Sequence, residues 1–100
     1  MIHKYTLENG VRVLVEPVDA DPDDATALVA RIHATLDRHE IHVPRLQHGD
    51  GGATWVLIAD AVRRGLDTRV GLEDTLQLPG GSRADGNPAL IAAARAMGAL

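Results

Sequence analysis

Three short apolar, β-branched runs, each followed by a helical stretch, constrain this chain more than any other feature. The runs are Val11–Glu16, Val43–His48 and Thr68–Leu72. The first helix opens on Asp21-Pro22-Asp23-Asp24. Asp21 can cap it, Pro22 suits its first position, and the two acids favour the positive end of the helix dipole. Leu28, Val29, Ile32 and Leu36 then fall on one face at helical spacing, with His33 on the flank. Trp55, Ile58 and Val62 mark a second helix that ends near Gly65. Asn87-Pro88 caps a third, in which Leu90, Ile91, Ala94 and Met97 face inward and Gly98 closes the turn. Strand–helix alternation implies parallel strands joined by right-handed crossovers. The expected fold class is therefore α/β, with three consecutive β-α units in a single domain over residues 1–100. Residues 11–100 carry the units. Residues 1–10 form a tail or, through Tyr5-Thr6-Leu7 and the Asn9-Gly10 turn signal, the arm of a hairpin.

Composition narrows the core and the partners. Aromatic residues make up 2% of the 100 residues while apolar residues reach 45%. The core must then be Val, Leu, Ile and Ala, as in helices packed on a buried parallel sheet. With no cysteine there is no disulfide framework, thiolate metal site or cysteine nucleophile. Ten Lys and Arg against fourteen Asp and Glu give a net charge of -4. That leaves no basic excess for nucleic acid. The apolar runs are far below the ~20 residues a membrane helix needs, and a cytoplasmic location is expected.

In such a sheet, chemistry gathers at the carboxyl ends of the strands. Glu16 ends the first run and reads chiefly as a solvated acid, with a pocket role as the lesser alternative. His48-Gly49-Asp50-Gly51-Gly52 lies between the second run and its helix. Its glycines would let backbone approach a ligand, and the helix start would favour an anion. No Lys follows, so it is not the nucleotide-binding loop pattern. Arg69-Val70-Gly71-Leu72-Glu73-Asp74 ends the third run. Alternation along a strand puts Arg69, Gly71 and Glu73 on one face. Arg69 could clamp a carboxylate, Glu73 could ligate a metal, and Asp74 could act as a base. A plain structural Arg–acid pair is the alternative.

These residues carry a family resemblance. His48-Gly49-Asp50-Gly51 with Trp55, the block Gly65-Leu66-Asp67-Thr68-Arg69-Val70-Gly71-Leu72-Glu73-Asp74-Thr75-Leu76, Leu78-Pro79-Gly80-Gly81, and Asn87 with Leu90 resemble the end of the β-keto acid cleavage enzymes. The resemblance implies a (β/α)8 barrel, of which this chain would be the C-terminal part. It implies transfer chemistry between a β-keto acid and acetyl-CoA, giving acetoacetate and a new acyl-CoA. It also implies a zinc ion acting as a Lewis acid on the keto oxygen. By resemblance Glu73 is the zinc ligand, Asp74 and Arg69 are catalytic, Arg69 also meets substrate, and His48, Gly49 and Gly51 contact substrate or CoA. The family's His-x-His pair, which supplies the other zinc ligands, has no counterpart in this sequence. The chain is thus expected to be inactive alone and to join the missing barrel half or another copy of itself. The competing readings are a non-catalytic remnant, a self-associating half-barrel module and a CoA- or phosphate-binding fragment.

Overall fold

The computed structural model describes residues 2–7, 10–18 and 21–99, with side chains from residue 12 onward. Three strands form one sheet in the order β1 (Ile2–Leu7), β2 (Gly10–Val15) and β3 (Arg45–Gln47). The expected hairpin arm is present and extends further than Tyr5–Leu7. β1 pairs antiparallel with β2 from Ile2↔Val15 to Leu7↔Gly10. Asn9 of the turn signal lies outside the described residues. β2 and β3 pair in parallel, Val13 opposite Arg45 and Val15 opposite Gln47. An antiparallel neighbour is foreign to an all-parallel barrel; the parallel pairing is that of β2 with β3.

Between β2 and β3 the chain crosses over through α1 (Pro22–Arg38). Its start follows the local chemistry: Asp21 accepts a hydrogen bond from the Asp23 N–H at 2.9 Å. The buried stripe is Ala25, Val29, His33 and Leu36. Leu28 and Ile32 are only partly covered, and His33 belongs to the interior. A short 3-10 turn over Gly51–Ala53 leads into α2 (Thr54–Arg64). Gly65 stops α2 in the left-handed region at φ 72, as expected of a glycine helix end. α3 (Asn87–Ala96) buries Leu90 and Ala94, whereas Ile91 is exposed. Its N-cap is Gly86. Asn87 instead accepts the Leu72 N–H at 2.8 Å.

The expected third strand, Thr68–Leu72, does not form. Only a single parallel bridge, Leu46↔Asp67, continues the sheet. Gln47 N–H donates to the Asp67 carbonyl at 2.9 Å, and Asp67 N–H to the Arg45 carbonyl at 3.3 Å. A strand needs a backbone partner, and β3 ends at Gln47. The Thr68 hydroxyl takes the Gln47 carbonyl at 2.7 Å. The chain then turns, with the N–H groups of Asp74 and Thr75 both donating to the Gly71 carbonyl. The described fold is a small α/β unit with two parallel strands, an added antiparallel strand and three helices.

Val13 and Val15 of β2 meet Ala25, Val29 and Leu36 of α1 and Ala53 and Leu57 around α2 in the main core. Leu57 is fully buried there. Leu57→Ala should therefore cost about 3 kcal/mol, within the range of large-to-small core changes. Leu76→Ala, at a 56% exposed position, should stay within about 0.5 kcal/mol. Urea unfolding of both variants checks the contrast, and equal costs would refute this placement of the core.

Candidate functional site

Because β2 and β3 are parallel and in register, the residues that follow them emerge side by side. These are Glu16 and His48. His48 Nε2 lies 3.1 Å from Glu16 Oε2. Asp74 enters from the turn after Gly71, its Oδ1 3.6 Å from His48 Nδ1 and 3.6 Å from Arg69 Nη2. The side chains of His48 and Asp74 are 0% and 5% exposed, those of Glu16 and Arg69 22% and 46%. The group is thus a buried imidazole between two carboxylates, with a guanidinium at the rim.

Backbone fixes this arrangement. The Asp74 carbonyl accepts the Gly51 N–H at 2.7 Å and the Thr54 hydroxyl at 3.4 Å. The glycine loop therefore holds Asp74 against the start of α2. Gly51 sits at φ 55 with open space where a side chain would be, but its N–H is already committed to Asp74. Gly49 is buried and packs directly on the Ala53 carbonyl.

The ring orientation of His48 follows from its neighbours. Nδ1 is 3.1 Å from the Gly49 carbonyl oxygen. A carbonyl only accepts, so Nδ1 carries a proton. The Glu16 oxygen approaches Nε2 closely, yet Nε2 has no aligned hydrogen-bond partner, and neither has Asp74 Oδ2. Burial pushes the Asp74 carboxyl above the usual carboxylate range; His48 and Arg69 pull it down, and Glu73 adds to the rise. The ionised form is therefore disfavoured by folding, and the deficit is present above the raised value and disappears as pH falls to the ordinary carboxylate range. Asp74→Asn should raise the urea midpoint at neutral pH and remove this part of the pH dependence. A lowered midpoint would contradict it.

The structure brings together three of the sequence-predicted residues, His48, Asp74 and Arg69, and adds Glu16. Glu73 is exposed, and its carboxylate lies over Gly71, where any added side chain would collide with it. The expected sharing of a face by Arg69, Gly71 and Glu73 fails because the turn at Gly71 ends the two-residue alternation and sends Asp74 inward instead. The sequence-only reading of Glu16 as a solvated acid missed its place beside His48. Its signal lay in strand register, since Glu16 follows Val15 as His48 follows Gln47.

A buried acid–imidazole–acid group at the carboxyl ends of parallel strands is the kind of site on which α/β enzymes build proton-transfer or metal chemistry. The chain matches the family model of the beta-keto acid cleavage enzymes over residues 14–99. It belongs to that family. No curated protein and no solved structure matched the chain. No helix among the described residues is long and apolar enough to cross a membrane.

Proposed function

We propose that the chain supplies the closing part of a β-keto acid cleavage site, as the C-terminal portion of a (β/α)8 barrel in the cytoplasm. The observation that carries this reading is the convergence of Glu16, His48, Asp74 and Arg69 within a region matched by the family model. The reaction joins the acetyl group of acetyl-CoA to the carboxymethyl carbon of the β-keto acid, giving acetoacetate, while the bond from that carbon to the keto carbon breaks and the remaining acyl group passes to the CoA thiolate. Arg69, exposed on one side and near Asp74 on the other, holds the substrate carboxylate through its paired N–H donors. Asp74, whose burial makes it a stronger proton acceptor than an ordinary carboxylate, takes a proton from the substrate. A cleft of about 390 Å³ beside it, bordered by Gly51, Leu72, Thr75 and Leu76, gives room for substrate.

The zinc set implied by the family does not fit this chain, because its His-x-His pair is missing from the sequence. We assign Glu73 as the ligand this chain would contribute, its exposed carboxylate meeting histidines supplied by the rest of a barrel or by another copy. The test is acetoacetate formation from a β-keto acid and acetyl-CoA, by the chain alone and mixed with a barrel portion bearing a His-x-His pair. Turnover is expected only in the mixture, and Asp74→Asn should lower it by about 10²–10⁴-fold. Turnover by the chain alone would refute the dependence on a second portion. Inactivity of the mixture would refute the reaction.

A further inference from the structure

We infer that β1 is an autoinhibitory strand: it occupies the edge of β2 on which the preceding strand of a barrel would pair, and the missing barrel portion docks there only after β1 leaves. This rests on the reading above, in which the chain completes a barrel with a separate portion.

A strand offers backbone hydrogen bonds along two edges and no more. One edge of β2 is taken by β3. The Val13 N–H donates to the Pro44 carbonyl at 3.0 Å, and the His48 N–H donates to the Val15 carbonyl at 3.2 Å. Alternation then turns the backbone groups of Arg12 and Leu14 the other way, toward β1, where they stand opposite Tyr5 and His3. β1 covers this edge over 6 residues, antiparallel from Ile2↔Val15 to Leu7↔Gly10. A barrel strand would run parallel to β2 on the same edge, so the two exclude each other. The covered edge reaches the site, since Val15 pairs with Ile2 and directly precedes Glu16.

The other side of the sheet differs. Beyond β3 the sheet continues only by the bridge Leu46↔Asp67, so among the described residues no strand has to leave there. The barrier to closing a barrel lies at β2. β1 also competes at close range, because only residues 8 and 9 separate it from β2 in the chain. So short a tether holds a strand at an effective concentration on the order of millimolar, far above that of a separate chain in dilute solution. With about one chain in ten open, the apparent affinity for the barrel portion is reduced about tenfold.

The test measures binding of the full chain to the barrel portion of the acetoacetate assay, dye-labelled and followed by fluorescence anisotropy. Tyr5→Pro removes a β1 donor that faces β2 and should tighten binding about tenfold or more. In the chain alone it should speed amide exchange at Arg12 and Leu14, while Val13, which faces β3, keeps its protection. The converse variant locks β1 in place. By the same alternation Thr6 and Val11 form a non-hydrogen-bonded pair, the closer antiparallel spacing and within disulfide reach, and the sequence has no other cysteine. The oxidised Thr6→Cys, Val11→Cys chain should not bind, and reduction should restore the affinity of the unaltered chain. Equal affinity of the oxidised and reduced forms, binding by Tyr5→Pro no tighter than by the unaltered chain, or fast exchange of Arg12 and Leu14 in the unaltered chain would each overturn the autoinhibition and leave the proposed reaction standing. Should Tyr5→Pro fail to fold, the oxidised and reduced forms decide alone. Binding by no form, Tyr5→Pro and the reduced chain included, would overturn the barrel docking itself and the autoinhibition with it.

Discussion

Gly49→Val is expected to destabilise the chain by about 3 kcal/mol or more, at the upper end of overpacking costs. A β-carbon at Gly49 would stand 2.6 Å from the Ala53 carbonyl oxygen, 2.8 Å from its carbon and 3.0 Å from Thr54 Cα. All three are backbone atoms, so no side-chain rotation relieves the collision. The chain would have to separate the residues after β3 from the start of α2, and buried Thr54 would move with them. A chain of this length has a total stability of order 5–15 kcal/mol, so the loss is a large fraction. The same displacement would shift His48, whose ring rests on the Gly49 carbonyl, and pull the Asp74 carbonyl from Gly51. Gly51→Ala is the control. Its β-carbon meets open space, and only the left-handed backbone at φ 55 is strained, for a cost of about 1–2 kcal/mol. Urea unfolding followed by circular dichroism measures both. A Gly49→Val change no larger than that of Gly51→Ala would show that the loop is not packed this closely.

What the sequence conveyed well was local. Asp21, Pro22 and the following acids start α1 through atoms within one turn, and Gly65 ends α2 through its own backbone freedom. The parts it conveyed poorly depend on partners distant along the chain. Thr68–Leu72 has the composition of a strand, but β3 stops at Gln47 and leaves most of it without a ladder. The turn at Gly71 then decides that Asp74, rather than Glu73, points into the interior. His33 looked like a flank residue because nothing nearby in sequence reveals Gln47 waiting on β3. Of the site, His48, Asp74 and Arg69 were legible from loop position and family resemblance. Glu16 became legible only once the β2–β3 register placed it beside His48.

Gln47→Leu is expected to cost about 2–4 kcal/mol and to make the chain more sensitive to acid. Gln47 is fully buried on β3, and its amide joins three elements. Its Oε1 is 2.6 Å from His33 Nε2 on α1, and its Nε2 donates to the Leu57 carbonyl at 3.0 Å and to Asp60 Oδ2 at 2.9 Å on α2. Arg45 Nη1 lies 3.0 Å from His33 Nδ1. A guanidinium only donates, so Nδ1 accepts and Nε2–H donates to Gln47, with the ring neutral. Leucine would leave the His33 N–H unsatisfied and take a donor from Asp60, each loss worth about 1–3 kcal/mol. Asp60 would retain Arg64 at 2.7 Å and its contact with Arg63. The acid response follows from His33. Burial holds its pKa below the usual 6.5, Arg64 and Arg45 add to this, and the Gln47 bond and Asp60 oppose it. As pH falls through 6.5 the unfolded chain takes a proton that the folded chain refuses, so stability declines until the lower folded value is reached. Without the Gln47 bond, which favours the protonated ring, the folded value falls further and the declining window widens. Burial raises the Asp60 carboxyl, but the bonds from Gln47 and Arg64 and the charges of Arg64 and Arg63 together hold it below its ordinary value, so its contribution is lost only at still lower pH. Urea midpoints between about pH 7.5 and 5 should therefore fall in the unaltered chain, by at most about 1.4 kcal/mol per pH unit for one proton. They should fall over a wider range in Gln47→Leu and become flatter in His33→Gln. A slope unchanged by His33→Gln would place the titrating group elsewhere.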